Sequence, residues 1–193
     1  MQALLVVDAQ NEFSPGGQRP VPNHAEALLA IRAHVEAARR AGAPIAWVQH
    51  HNRPDESPAF VPGSWGAQLS PGLEPAADSG RERLFVKDVF GAFTTTGVEA
   101  WLRSMGVDTV VVTGFYAHMC VSTSAREALV RGFAVRVDPA ATGARALEHP
   151  VLGVQSADEV VRSAFLQLEN MGAEVVSAEI WAAESPALAA AAA

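Results

Sequence analysis

Short apolar runs alternate with amphipathic stretches along most of the chain. Six runs have strand character, at residues 3–7, 45–49, 84–87, 110–112, 133–137 and 173–177. The first and fourth are apolar on both faces, as a central parallel strand is when helices cover it above and below. Helical periodicity fills the gaps. Ala27, Leu28, Ile31, Val35 and Ala38 mark one face of a helix with Asn23 as its N-cap and Gly42 past its end. Thr96 caps a shorter helix over residues 97–105, with Trp101 and Leu102 inward. Val121, Ala125, Ala128 and Leu129 share a face of a third. Ser156 and Glu159 have the spacing of a capping box for a fourth, whose core side is Val160, Ala164, Leu168 and Met171.

No hairpin signal appears, and residues 138–143 read as a loop. The alternation predicts an α/β protein with a three-layer α/β/α Rossmann-like fold. Its six-stranded, mostly parallel sheet has the order 3-2-1-4-5-6. The topological switch point falls between the strand ending at Asp8 and the strand ending at Gly114. Residues 1–193 form one domain, with an Ala-rich tail from about residue 181 that frays at its end. Residues 51–81 stand apart. Five prolines and four glycines make them a long irregular excursion, yet Phe60, Val61, Trp65 and Leu69 give it apolar anchors. An ordered active-site wall is expected there.

Composition narrows the function. With 193 residues, 49% hydrophobic and 18% charged, the chain is globular and long enough for one sizeable core. Its net charge of −7 and lack of a basic patch argue against nucleic acid as a partner. No apolar run approaches a membrane span and no signal peptide is apparent. One cysteine excludes an internal disulfide framework and fits a reducing compartment, so a cytoplasmic location is expected.

The chemistry collects at strand ends. Asp8 and Lys87 each terminate an apolar run, and neither belongs in a core unless paired. Cys120 lies where the fourth run hands over to a helix, whose first amides favour negative charge. Open parallel sheets bind ligands beyond the carboxyl ends of their strands, so the three side chains are expected to converge. Asp8 then takes the thiol proton, and Lys87 lowers the thiol pKa and orients Asp8. Cys120 attacks an acyl carbon, and amides near Tyr116 and Cys120 form the oxyanion hole. Asp8 next protonates the leaving nitrogen and activates a water. Gln10 is placed to hold the Asp8 loop, and Arg53 to read an acidic group.

Three motifs in this order resemble the isochorismatase-like cysteine hydrolases: Leu5-Val6-Val7-Asp8-Ala9-Gln10-Asn11-Glu12-Phe13; Val86-Lys87 with Phe90-Gly91-Ala92-Phe93; and Val112-Thr113-Gly114 through Cys120-Val121-Ser122-Thr123. The resemblance implies the Asp8, Lys87, Cys120 triad and a cis peptide at Phe115-Tyr116. It also implies Phe13 and Trp65 against the substrate. With Phe115 and Tyr116 these are the expected substrate-binding residues, and Phe90 and Phe93 are weaker candidates. Nicotinamidases of the family carry a metal site after the second strand. Here Gln49-His50-His51-Asn52-Arg53-Pro54-Asp55 lacks the Asp-x-His spacing, so no metal or other cofactor is expected. His118 reads as a loop or interface residue.

The implied activity is cleavage of a C–N bond in a small amide, carbamoyl or ureido substrate through a thioester, by a homodimer or homotetramer. Two alternatives stay open. One is a vinyl-ether hydrolase in which Asp8 is the acid and Cys120 is incidental. The other is a non-catalytic binding protein on the same fold, whose thiol is unreactive.

Overall fold

The computed structural model describes residues 1–53 and 55–184. Its main sheet has six parallel strands in the order β3-β2-β1-β4-β5-β8. The chain runs β1 (Gln2–Val7), α1 (His24–Arg40), β2 (Ile45–His50), β3 (Glu82–Lys87), α2 (Val98–Ser104), β4 (Thr109–Phe115), α3 (Ser122–Val130), β5 (Ala134–Gly143), β6 (Leu147–His149), β7 (Gly153–Gln155), α4 (Ala157–Asn170) and β8 (Glu174–Val175). The last strand of the sheet is β8 because a two-stranded hairpin, β6 with β7, intervenes.

Side-chain alternation along β1 assembles the layers. Ala3, Leu5 and Val7 face Val98 and Leu102 of α2, Ala125 and Ala128 of α3, and Ala164 and Leu168 of α4. Leu4 and Val6 face Ala27, Ile31, Val35 and Ala38 of α1. A strand sandwiched this way carries no polar face, which is why β1 and β4 read as unbroken apolar runs. Among the described residues no helix is long and apolar enough to cross a membrane.

Four local expectations need correction. Residues 138–143 continue β5 past an irregularity in the β4 pairing between Val112 and Gly114. Pro139 is tolerated there because an irregular ladder spares it the missing donor. The hairpin escaped notice because each strand has three residues, too few for a period. Its one cue is Gly153, with φ +83°, after a three-residue turn. The Asn23 side chain does not cap α1. It donates to the Thr142 carbonyl, tying the start of the helix to β5. The Ser156–Glu159 capping box forms as expected. Trp181, where the tail was expected to begin, is buried and donates to His34 Nδ1, while His34 Nε2 bonds Asp138 at 2.8 Å. The rest of the Ala-rich tail, from 185, and Pro54 lie outside the described residues.

At the switch point β1 and β4 approach so closely that only Gly114 fits. Its φ is +114°, and a Cβ there would lie 1.8 Å from the Val7 carbonyl oxygen. Gly114→Ala is expected to cost roughly 3 kcal/mol or more in urea unfolding, through clash and backbone strain together. A cost under about 1 kcal/mol would contradict this close approach.

Candidate active site

Asp8 and His50, at the carboxyl ends of neighbouring strands, line a cavity of about 560 Å³, and the buried Lys87 bonds both without lining it. Lys87 ends β3 and pairs in register with His50, which ends β2. Asp8 directly follows β1, its amide bonded to the Val48 carbonyl at 2.8 Å. Cys120 comes from the far side of the switch point, inside a π-helical turn (Ala117–Val121) between β4 and α3. The Phe115-Tyr116 peptide that leads into this turn is cis.

Lys87 is the centre of the arrangement. Its side chain is fully buried. Its ammonium, with three N–H donors, has four acceptors within reach: Asp8 Oδ2 at 2.7 Å, the Val89 carbonyl at 3.1 Å, His50 Nδ1 at 3.2 Å and Cys120 Sγ at 3.3 Å. Burial alone would lower the lysine pKa. The charge of Asp8 and the hydrogen bonds to Asp8 and Cys120 outweigh it, and the ammonium is held above the ordinary lysine range. Asp8 adopts φ +52°, a left-handed conformation uncommon outside glycine, asparagine and aspartate. Its Oδ1 is buried and has no hydrogen-bond partner among the described residues. A carboxylate oxygen in that state is a ready proton acceptor.

Cys120 is 8% exposed and lines the cavity. A thiol already depressed at rest was expected, and here the structure differs. Burial first, then the adjacent Asp8 carboxylate, push the Cys120 thiol up, and the opposing pull of Lys87 does not compensate. The helix start counts for little because the π turn precedes the first regular turn of α3. The resting group is therefore a neutral thiol beside a carboxylate base. A high labelling pKa does not by itself indicate an idle thiol in this setting.

A second layer of hydrogen bonds fixes the first. Since the ammonium only donates, His50 Nδ1 accepts, and His50 Nε2 donates to Asn52 Oδ1 at 2.8 Å. Both ring nitrogens of His50 are thus engaged within the protein. Asn52 Nδ2 donates to the Ala59 carbonyl at 2.8 Å, and its amide to the Phe60 carbonyl. Gln10, as expected, holds the Asp8 loop: its side chain bonds the His50 amide and carbonyl and the Ala67 carbonyl. Glu12 is buried and accepts from the amides of Gln18 and Phe60. These bonds clamp the excursion over the site.

The walls match the expectations in part. Phe13, Tyr116 and Phe90 line the cavity. Trp65 does not: it is 53% exposed and lies over Gly16 on the outer side of the loop. Phe60 takes the wall position from the same excursion, its ring against Phe13 and His50. Phe115 is fully buried behind Phe13 and stacks on His24, away from the cavity. Phe93 packs in the core against Phe133. His118 stacks on Tyr116 without lining the cavity. Reading by sequence did not place His50, Phe60, Arg19 or Arg145 on the wall. Only His50 had a visible signal, as a polar residue at the end of an apolar strand.

Known proteins are similar over most of the chain. The model of the isochorismatase domain matches residues 2–180. A nicotinamidase/pyrazinamidase of Mycobacterium tuberculosis (strain ATCC 25618 / H37Rv) is 32% identical, over 71% of this chain and 83% of its own. The crystal structure of an isochorismatase from Pseudomonas putida KT2440 superposes with a TM-score of 0.83 at 28% identity, covering 92% of this chain and 88% of that one. The crystal structure of N-carbamoylsarcosine amidase from Thermoplasma acidophilum gives 0.76 at 27% identity, covering 92% and 96%.

Two measurements test the electrostatics. Iodoacetamide alkylation of Cys120 is expected to rise with pH to a midpoint above the usual thiol value near 9. Asp8→Asn, which keeps a residue tolerant of the left-handed backbone, is expected to move that midpoint down and speed labelling at pH 7.5. An unchanged midpoint would show that the carboxylate does not act on the sulfur. Lys87→Met leaves a buried carboxylate uncompensated and is expected to cost about 3–5 kcal/mol in urea unfolding. Adding Asp8→Asn should recover part of that loss, and strictly additive losses would count against the pairing.

Proposed function

The chain belongs to the isochorismatase family, and we propose that it hydrolyses non-peptide carbon–nitrogen bonds through a thioester on Cys120. The reading is supported above all by one buried ammonium lying 2.7 Å from the carboxylate of Asp8 and 3.3 Å from the sulfur of Cys120, two residues that line one cavity.

In the proposed reaction a small amide, carbamoyl or ureido substrate brings its carbonyl carbon to the sulfur. Asp8 accepts the thiol proton as Sγ attacks, so charge moves from sulfur to the carbonyl oxygen without a free thiolate accumulating. The backbone amides of Tyr116 and Cys120 are the proposed donors to that oxygen. Lys87 orients the carboxylate through its 2.7 Å bond and offsets negative charge on sulfur during attack. Collapse of the tetrahedral species breaks the C–N bond. Asp8 returns its proton to the leaving nitrogen, and ammonia or an amine departs. Water then attacks the thioester with Asp8 as base, which restores the thiol and releases the acid. Phe13, Phe60 and Tyr116 supply an apolar wall that keeps bulk water from the acyl carbon.

An ammonia-release screen over simple amides, carbamoyl amino acids and ureido acids tests the reading. Turnover is expected for at least one class, with Cys120→Ala lowering kcat/KM by roughly 10³-fold or more. Acid-quenched enzyme should carry the acyl mass on the Cys120 peptide. Silence across the screen, with vinyl-ether cleavage retained in Cys120→Ala, would replace it with acid chemistry at Asp8.

A further inference from the structure

Acidic and basic side chains gather unevenly at the cavity mouth. Arg19, Arg53 and Arg145 line it, together with Glu56 and Asp88. Arg53, which sequence reading picked to recognise an acidic group, is already neutralised: its Nε bonds Asp88 Oδ2 at 2.8 Å. Glu56 in turn accepts from the Arg53 amide. Deeper in, Asp8 and Lys87 form an ion pair, and the Glu12 carboxylate accepts from the Gln18 and Phe60 amides. Two guanidinium groups on the cavity lining have no carboxylate within salt-bridge distance among the described residues. No carboxylate among the described residues pairs with Arg145, and Arg19 reaches only Ser57 Oγ, at 3.5 Å.

These two groups flank one wall residue. The Tyr116 hydroxyl donates to the Arg19 carbonyl at 2.8 Å, so the ring fixes the backbone that carries Arg19. Burial raises the Tyr116 phenol, the charges of Arg145 and Arg19 oppose that rise, and Glu12 adds to it. Tyr116 immediately follows the switch-point strand and belongs to the same turn region as Cys120. Both arginines thus line the cavity that holds the sulfur.

We propose that Arg19 and Arg145 form an anion subsite, and that the substrate presented to Cys120 carries a carboxylate held there. The substrate is then a carbamoyl or ureido acid, or an acid amide, rather than a neutral amide. This rests on the reading of Cys120 as nucleophile for the identity of the scissile bond, but the subsite itself is measurable without turnover. Guanidinium suits the task because its planar donors match a carboxylate two by two and stay charged at any working pH. A neutral amide would leave both groups merely solvated and gain nothing from them.

The test is calorimetric titration of the Cys120→Ser protein with matched pairs. Each pair is a ureido acid and the alkylurea of equal chain length: ureidoacetate with ethylurea, 3-ureidopropionate with propylurea, 4-ureidobutyrate with butylurea. At least one acid should bind tenfold or more tightly than its neutral mate, with a preference that weakens between 50 and 500 mM salt. Adding Arg19→Gln and Arg145→Gln should bring that preference to within about twofold, whereas Arg145→Lys alone should keep part of it. The proposal is overturned if no acid is preferred, if no acid binds, or if the preference survives loss of both arginines. Ammonia release by the unmodified enzyme from the same pairs separates the two readings. Arginine-dependent binding without ammonia keeps the subsite and removes the amidohydrolase assignment.

Discussion

A lysine ammonium with no exposure to water holds the protein's chemistry together. Taking such a charge and its carboxylate partner out of solvent costs several kcal/mol for each ion. Four acceptors around Lys87 offset that cost only because three adjacent strands end at the same level of the sheet. A pair of apolar residues of similar volume would serve stability as well or better. The ion pair is therefore best understood through what it does to its neighbours: it fixes one carboxylate oxygen beside a neutral thiol and leaves the other without a hydrogen-bond partner among the described residues. Every other constraint on the site can be traced to it. His50 must present a lone pair, Asn52 must receive its proton, and the excursion must descend far enough to meet Asn52.

The fold was legible because its signal is repetitive. Strands buried on both faces and helices apolar on one face leave periods that survive in the sequence, as in residues 3–7 and in Val160, Ala164 and Leu168. The order of the sheet followed from connection rules. The hairpin at Leu147–His149 and Gly153–Gln155 was not legible, because three residues hold no period. The continuation of β5 through Pro139 was hidden by a residue that ordinarily ends a strand.

The site was legible where polarity broke an apolar run. Asp8 and Lys87 announced themselves that way, and Cys120 by standing between a strand and a helix. The walls were not legible, since an aromatic residue in a loop gives no sign of which side it faces. Trp65 and Phe60 lie five positions apart in the same excursion, and only the bonds from Glu12 and Asn52 decide that Phe60 turns inward. The arginines were misjudged for a related reason. Arg53 and Arg145 look alike in sequence, and the difference is a partner 35 residues away for one of them. The protonation of the thiol was misjudged because local sequence displays the helix start and the lysine but not the depth of burial.

The attachment of the excursion by Gln10, Asn11 and Glu12 makes the chemistry and the selectivity separable parts. Ladder and side-chain bonds from these three residues reach residues 50, 60, 65, 66, 67, 68 and 69, so the loop is fastened at fixed studs. Between the studs at His50 and Phe60, the side chains of Arg53, Glu56 and Ser57 bond Asp88, the Arg53 amide and Arg19, and none of them bonds Asp8, Lys87 or Cys120. Those three side chains can change without removing a bond to the reactive groups, whereas Asn52, which holds His50, cannot. The architecture is that of an interchangeable faceplate bolted to a permanent engine, which lets one set of reactive groups serve many differently shaped molecules.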